Sequence, residues 1–192
     1  MAEITTPVAV VILAAGQGTR MKSATPKVLH QIGGLPLIGH VLRTASALAP
    51  ERAVVVVRHE RDLVADAVSG LLPGVDIVDQ DEIPGTGRAV ELALGALDGF
   101  DGDVLVLSGD VPLVEVGVVE ALLSRHRAAA ARATLLCATL DDATGYGRVI
   151  RGADGAVERI VEQKDATPHE LSVREINTGI YVFRAAELRT SL

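Results

Sequence analysis

The sequence predicts an α/β fold built on a doubly wound, mostly parallel sheet. Three observations carry that expectation. Short Val-rich runs alternate with helical patterns over residues 1–140. The first run, Val8–Leu13, is continuously apolar, as in a strand buried on both faces. The loops that follow the runs collect glycines and charges, and an open parallel sheet binds ligands beyond the carboxyl ends of its strands.

The elements follow in order. Pro36 can open a helix, with Leu37, Ile38, Val41, Leu42 and Ala45 on one side of it before Pro50. Residues 53–57 read as the next strand, 62–72 as helix, 75–78 as strand and 86–97 as helix. Residues 104–107 read as strand and 116–131 as helix. Strand, helix, strand, repeated, implies a parallel sheet covered on both faces. Near residue 141 the pattern changes. The runs 148–151 and 156–161 flank Ala153-Asp154-Gly155, and Asp-Gly is a strong hairpin signal. Residues 177–183 make one more apolar strand, and residues 184–192 begin a helix with no visible end. No linker or repeat divides the chain, so one compact unit is expected, cut off at its C-terminal edge.

Composition narrows the function classes. The chain has 192 residues, 48% hydrophobic and 22% charged, with a net charge of −7, as in an ordinary soluble globular protein. Two Tyr, two Phe and no Trp weigh against a single-strand nucleic-acid platform, which needs stacking rings. The acidic balance lacks the footprint of a general nucleic-acid binder. The lone Cys137 cannot form an intramolecular disulfide, and its apolar run reads as the site of a buried core thiol. The N-terminal apolar stretch 8–15 is far short of a membrane span, and it follows Glu3 without a basic region, unlike a signal peptide. A cytoplasmic protein without nucleic-acid or membrane partners is expected. The five histidines show no metal-ligand spacing, and His126, between Arg125 and Arg127, reads as part of a solvated face. No Gly-x-Ser-x-Gly elbow is present.

Three strand-end loops could carry chemistry. The first is Leu13-Ala14-Ala15-Gly16-Gln17-Gly18-Thr19-Arg20-Met21, followed by Pro26-Lys27. Its small residues let backbone N–H groups approach a phosphate or base, and Arg20 and Lys27 add positive charge. It is neither a Walker A motif nor a dinucleotide fingerprint, and a plain Gly-rich turn stays open from the residues alone. The second loop runs from Gln80 to Gly85-Thr86. Gln80 offers both a donor and an acceptor, which suits a pyrimidine edge, while Thr86 could equally be a simple helix N-cap. The third is Ser108-Gly109-Asp110. A carboxylate just past a buried strand is a natural Mg²⁺ ligand, or else a cap for the next turn. Further on, Gly147, Glu162, Lys164 and Asn177 offer flexible backbone and polar groups suited to sugar hydroxyls, acetamido groups and phosphate, although each of these alone is more often a surface polar residue.

The first loop with Pro26-Lys27 resembles the signature of sugar-nucleotide pyrophosphorylases. Gln80 with Gly85-Thr86-Gly87, Gly109-Asp110-Val111-Pro112, Gly145-Tyr146-Gly147-Arg148, Val161-Glu162-Gln163-Lys164-Asp165 and Glu175-Ile176-Asn177-Thr178-Gly179 follow in order. Together they resemble the uridyltransferase half of the bifunctional N-acetylglucosamine-1-phosphate uridyltransferase/glucosamine-1-phosphate acetyltransferase family, over essentially the whole chain. The resemblance implies a nucleotidyltransferase-type fold. It implies a Mg²⁺-dependent reaction of UTP with N-acetylglucosamine 1-phosphate to UDP-N-acetylglucosamine and pyrophosphate, serving peptidoglycan and lipopolysaccharide-type precursors.

By the same resemblance, residues 1–140 are the nucleotide-binding part and 141–192 the sugar-binding part. Leu13, Ala14, Ala15 and Gly16 hold the uridine, and Gln80 and Gly85 read the uracil edge. Arg20 and Lys27 neutralise the triphosphate and Asp110 binds Mg²⁺. Thr86, Ser108, Gly109, Gly147, Glu162 and Asn177 surround the sugar. The chain departs from the family at Arg88, where His is expected, and at Ser108, where Tyr is common. The family also supplies a metal-ligating Asn downstream of residue 192, and a trimeric acetyltransferase β-helix. None of that hexapeptide-repeat segment is in this sequence, so one activity and a monomer are the expectation for the 192 residues. Two rivals follow. One is a related enzyme using CTP, dTTP or GTP with another phosphorylated acceptor. The other is a nucleotide-binding module without turnover.

Overall fold

The computed structural model describes residues 6–18 and 21–192. The chain divides into two compact units: residues up to Thr134 together with Tyr181–Leu192, and Leu135–Ile180.

In the first unit, β1 (Val8–Leu13) pairs in parallel with both β4 (Arg52–Val57) and β6 (Asp103–Ser108). β5 (Asp76–Asp79) pairs in parallel with β4. Residues 181–184 of β10 (Glu175–Arg184) run antiparallel to β6, which makes the expected parallel sheet a mixed one. These strands form because their Val- and Ile-rich runs bury both faces of the pleat. Val10, Val11, Ile12, Val54 to Val57 and Val104 to Val106 have no exposed surface. Each such side chain contributes about 2 kcal/mol of burial.

Helices cover both faces. On one, α3 (Thr86–Ala96) packs Ala89, Val90 and Ala93 onto Ala9, Val11, Val54 and Val56, joined by Ala185 and Leu188 of α6 (Ala185–Ser191). On the other lie the alternate strand residues. There α2 (Arg61–Leu71) packs on β4, and α1 (Leu37–Ala47) meets α2 and α4 (Val116–Ala128). A small hairpin, β2 (Gln31–Ile32) with β3 (Leu35–Pro36), precedes α1 and was not expected from the sequence. The helix expected over 116–131 stops at Ala128. Ala130 adopts a left-handed φ of 47° and the Ala131 N–H reaches back to the His126 carbonyl at 3.1 Å, which ends the helix.

His126 corrects the sequence reading: it is 1% exposed, not solvated. It stands on the same stripe of α4 as the buried Val119, Leu122 and Leu123. Its Nδ1 shares a 2.8 Å hydrogen bond with Thr134 Oγ1. Among the described residues its Nε2 has no hydrogen-bond partner; it lies 3.7 Å from the buried Asp103, which also accepts from Arg127 Nε at 2.6 Å. Burial pushes the imidazole pKa down, and Arg184 and Arg127 add to this against the pull of Asp103. The unfolded chain therefore binds a proton more readily than the folded one as pH falls through about 6.5. The urea midpoint is expected to fall between pH 7 and 5. In His126→Gln that fall should shrink; an unchanged pH profile would assign it to other groups.

In the second unit, β8 (Arg148–Arg151) and β9 (Val157–Val161) form the expected antiparallel hairpin. Gly155 turns with a φ of 78° between them. Ile176 of β10 pairs with Arg148, and Thr178 donates to the Leu136 carbonyl of β7 (Ala133–Thr139), a strand the sequence reading missed. Arg151 binds Glu175 through two nitrogens at 2.8 and 2.6 Å. Cys137 is partly buried rather than a core thiol, and burial, with Glu175 beside it, pushes its pKa up to about 11. The thiol therefore stays protonated at neutral pH. α5 (Pro168–Leu171) starts with a capping box between Thr167 and Glu170. Hydrogen bonds from Thr167 and then from Arg159 hold the Glu170 carboxyl down to about 2. No helix of the described residues is long and apolar enough to cross a membrane.

Candidate active site

The site begins where the parallel strands end. Backbone bonds hold those ends in step. Ala14 N–H donates to the Val56 carbonyl, Gln80 N–H to Val57 and Gly109 N–H to Leu13, each at 2.8 Å. The strand order β5-β4-β1-β6 then sets the Gln80 loop at one end of a row and the Gly109-Asp110 turn at the other. Three strand spacings separate them, about 14 Å. A cleft of about 580 Å³ runs along this edge.

Ten of the residues expected in the site line that cleft. Leu13, Ala14, Ala15 and Gly16 form its floor after β1; Gln80, Gly85 and Thr86 stand at one end; Lys27, Ser108 and Asp110 complete the lining. Gly109 sits behind it, where a Cβ would lie 3.0 Å from the Leu13 carbonyl oxygen, so the β6 turn can hug β1 only with a small residue. Arg20 lies outside the described residues.

Lys27 opens a short 3-10 turn (Lys27–Leu29) anchored by the buried Val28. Gly18, at a φ of 60°, backs against it so closely that a Cβ there would meet Lys27 Cβ at 2.7 Å. The Lys27 Nζ donates to Asp110 Oδ2 at 2.5 Å, and both side chains stay partly open to the cleft. Cation and carboxylate thus meet at one spot, where an incoming phosphate and its metal can separate them. The donor set fits Mg²⁺. Asp110 supplies one carboxylate, and Mg²⁺ commonly takes one or two with phosphate oxygens and water. Among the described residues no cluster of three or more acidic, His or Cys groups offers an all-protein cage.

Gln80 corrects the idea of a free donor and acceptor. Its Nε2 donates to the Ile83 carbonyl at 3.0 Å and the Gly85 carbonyl at 3.2 Å. Two acceptors on that side fix the amide orientation, which leaves Oε1 as its open atom. The helix N-cap is Gly85, at a φ of 125°, and not Thr86, which is the first helical residue. No side chain among the described residues caps this helix, so its first-turn N–H groups face the cleft without a side-chain acceptor. Arg88 replaces the expected His with a strut. Nε and Nη2 donate to Asp81 at 2.9 and 2.5 Å, and Nη1 lies 2.8 Å from Glu91. The guanidinium holds the Asp81 carboxyl below the usual range, with help from the Ile83 N–H. The loop before α3 is therefore tied to the helix itself.

In the second unit, Gly147, Glu162 and Asn177 come together. Asn177 N–H donates to the Gly147 carbonyl at 2.9 Å, and a Cβ on Gly147 would lie 3.2 Å from Glu162 Oε1. The Asn177 Oδ1 accepts from the Gly179 N–H at 3.0 Å. The sequence reading missed Arg58, which also lines the cleft of the first unit. Its signal was present: it directly follows an apolar parallel strand.

A model of the MobA-like NTP transferase domain matches residues 10–161. The chain belongs to the MobA-like NTP transferase family. Among curated relatives in this family's range of similarity, the bifunctional protein GlmU of Clavibacter sepedonicus is 62% identical over 186 residues, 96% of this chain. The chain spans 38% of that relative's length. A Bacillus anthracis protein assigned as a glucose-1-phosphate thymidylyltransferase superposes with a TM-score of 0.73 at 23% identity, covering 93% of this chain and 72% of that one. A CMP:2-keto-3-deoxy-manno-octonic acid synthetase complexed with CTP gives a TM-score of 0.72 at 22% identity, covering 97% and 77%. These likenesses show the nucleotidyltransferase type of α/β fold that an NTP transferase domain requires.

Proposed function

We propose that the chain is a Mg²⁺-dependent uridyltransferase that makes UDP-N-acetylglucosamine and pyrophosphate from UTP and N-acetylglucosamine 1-phosphate, acting in the cytoplasm as a supplier of cell-wall precursors. One observation carries the reading: the Lys27–Asp110 pair shares a cleft with Gln80 and Gly85, at the two ends of one row of strands. The first unit is then the nucleotide-binding part, and the second the sugar-binding part. The high identity to GlmU over the length of this chain supports the choice of UTP and an N-acetylated sugar.

In this mechanism a phosphate oxygen of the sugar phosphate attacks the α-phosphorus of UTP in line. A new P–O bond forms as the bond to pyrophosphate breaks. The nucleophile is already anionic, so the chain needs no general base. The barrier is the approach of anions, and positioning with positive charge lowers it. Lys27 gives its ammonium to the phosphates, and Arg20 adds a second cation. Asp110 would hold the Mg²⁺, which supplies Lewis-acid charge at the phosphates when bound. The Gly16 loop brings backbone N–H groups close, while Gln80 and Gly85 read the base. Gly147, Glu162 and Asn177 of the second unit supply the polar groups that orient the sugar.

Pyrophosphate release over UTP, CTP, dTTP and GTP, each with several sugar 1-phosphates, tests the reading. UTP with N-acetylglucosamine 1-phosphate should dominate. Preference for another nucleotide would assign the chain to a related nucleotidyltransferase, and UTP binding without Mg²⁺-dependent turnover to a binding module.

A further inference from the structure

Arg58 lines the cleft and has no part in the chemistry above. It directly follows β4, and the register Val57↔Asp79 sets it opposite Gln80 at the end of β5. Two strand spacings, about 10 Å, separate its strand from β6 and the Asp110 turn. It therefore belongs to the Gln80 end of the cleft and not to the Lys27–Asp110 end.

Its donors are nearly unused. Among the described residues no carboxylate lies within ion-pair distance of Arg58, which attracts Asp81 only from farther off, and its one hydrogen bond is long, Nη2 to the Glu82 carbonyl at 3.4 Å. A guanidinium has five N–H donors and no acceptor, so a ligand at this wall must be rich in acceptors. Gln80, opposite, has given its Nε2 to two loop carbonyls and keeps an acceptor, Oε1. One wall thus asks for a donor flanked by acceptors. The uracil edge has that pattern, with N3–H between two carbonyl oxygens.

We propose that Arg58 donates to one of the carbonyl oxygens flanking N3 of the uracil base, and is a specificity-determining residue of the nucleotide site. This rests on the uridyltransferase reading above. A contact to phosphate would instead place the guanidinium at the far end of the row. A purely structural strut would need no donors beyond the one given to Glu82.

Binding of UTP, 2-thio-UTP and 4-thio-UTP to the whole chain and to Arg58→Ala tests it by calorimetry. Sulfur is a poor acceptor, so wild type should bind one thio analogue about tenfold more weakly than UTP. Arg58→Ala should lose about tenfold for UTP and bind that analogue as well as it binds UTP. If wild type shows no thio penalty, or if both penalties persist in Arg58→Ala, the proposal is overturned while the uridyltransferase reading stands. If wild type binds UTP no better than ATP and GTP, that reading falls and Arg58's role with it. Arg58→Met, which keeps the length of the side chain without a donor, serves the same comparison should the alanine variant fail to fold.

Discussion

Asp110→Asn is expected to abolish turnover while leaving the protein folded. Asparagine keeps the shape of the side chain but removes the charge that would hold a divalent cation, and it weakens the hold on Lys27. Loss of one preorganised electrostatic contact in an active site typically costs on the order of 10²–10³ in rate, and loss of the carboxylate proposed to hold Mg²⁺ should reach about 10³ in kcat. The fold should not notice. The Lys27–Asp110 side chains are 39% and 31% exposed, and partly exposed pairs contribute roughly 0–1 kcal/mol. Steady-state kinetics with saturating Mg²⁺, beside a thermal melt, checks both halves. Near-normal turnover would remove Asp110 from the metal role.

Lys27→Ala should cost about 3 kcal/mol of transition-state stabilisation, roughly 100-fold in kcat. The Lys27 side chain is held rigidly. Buried Val28 fixes the 3-10 turn, and Gly18 packs against the Lys27 stem, so the ammonium is delivered to one place. A positioned charge gains most where charge shifts during the reaction, as between the α-phosphorus and departing pyrophosphate. The loss should therefore fall on kcat. A rise in KM at unchanged kcat would mean that Lys27 binds ground state and transition state equally.

Much of the first unit was legible because its signals are physical and local. Val8–Leu13 had to be a doubly buried strand, and the helix after Pro36 follows from its apolar stripe. The misses have equally local causes. The strand over residues 133–139 carries no turn signal at its start. His126 has arginine neighbours in sequence, but its spacing from Val119, Leu122 and Leu123 places it on the buried stripe. α5 is four residues long, but its Thr167-to-Glu170 capping box is readable in sequence.

In the site, backbone placement was legible and side-chain commitments were not. The strand-end rule located Leu13, Gln80 and Asp110 on one cleft. Nothing in the sequence states that Gln80 spends its donors on its own loop, or that Arg88 ties that loop to α3, because both depend on where a turn returns. Arg58 obeys the same rule, following β4 as Gln80 follows β5.

UTP is expected to occupy the cleft along the ends of β5, β4, β1 and β6. Amide chemical-shift mapping of the labelled chain with UTP and Mg²⁺ tests it without requiring turnover. The largest shifts should fall on residues 14–18, 80–86 and 108–110. Shifts confined to other surfaces, or none at saturating UTP, would contradict the account.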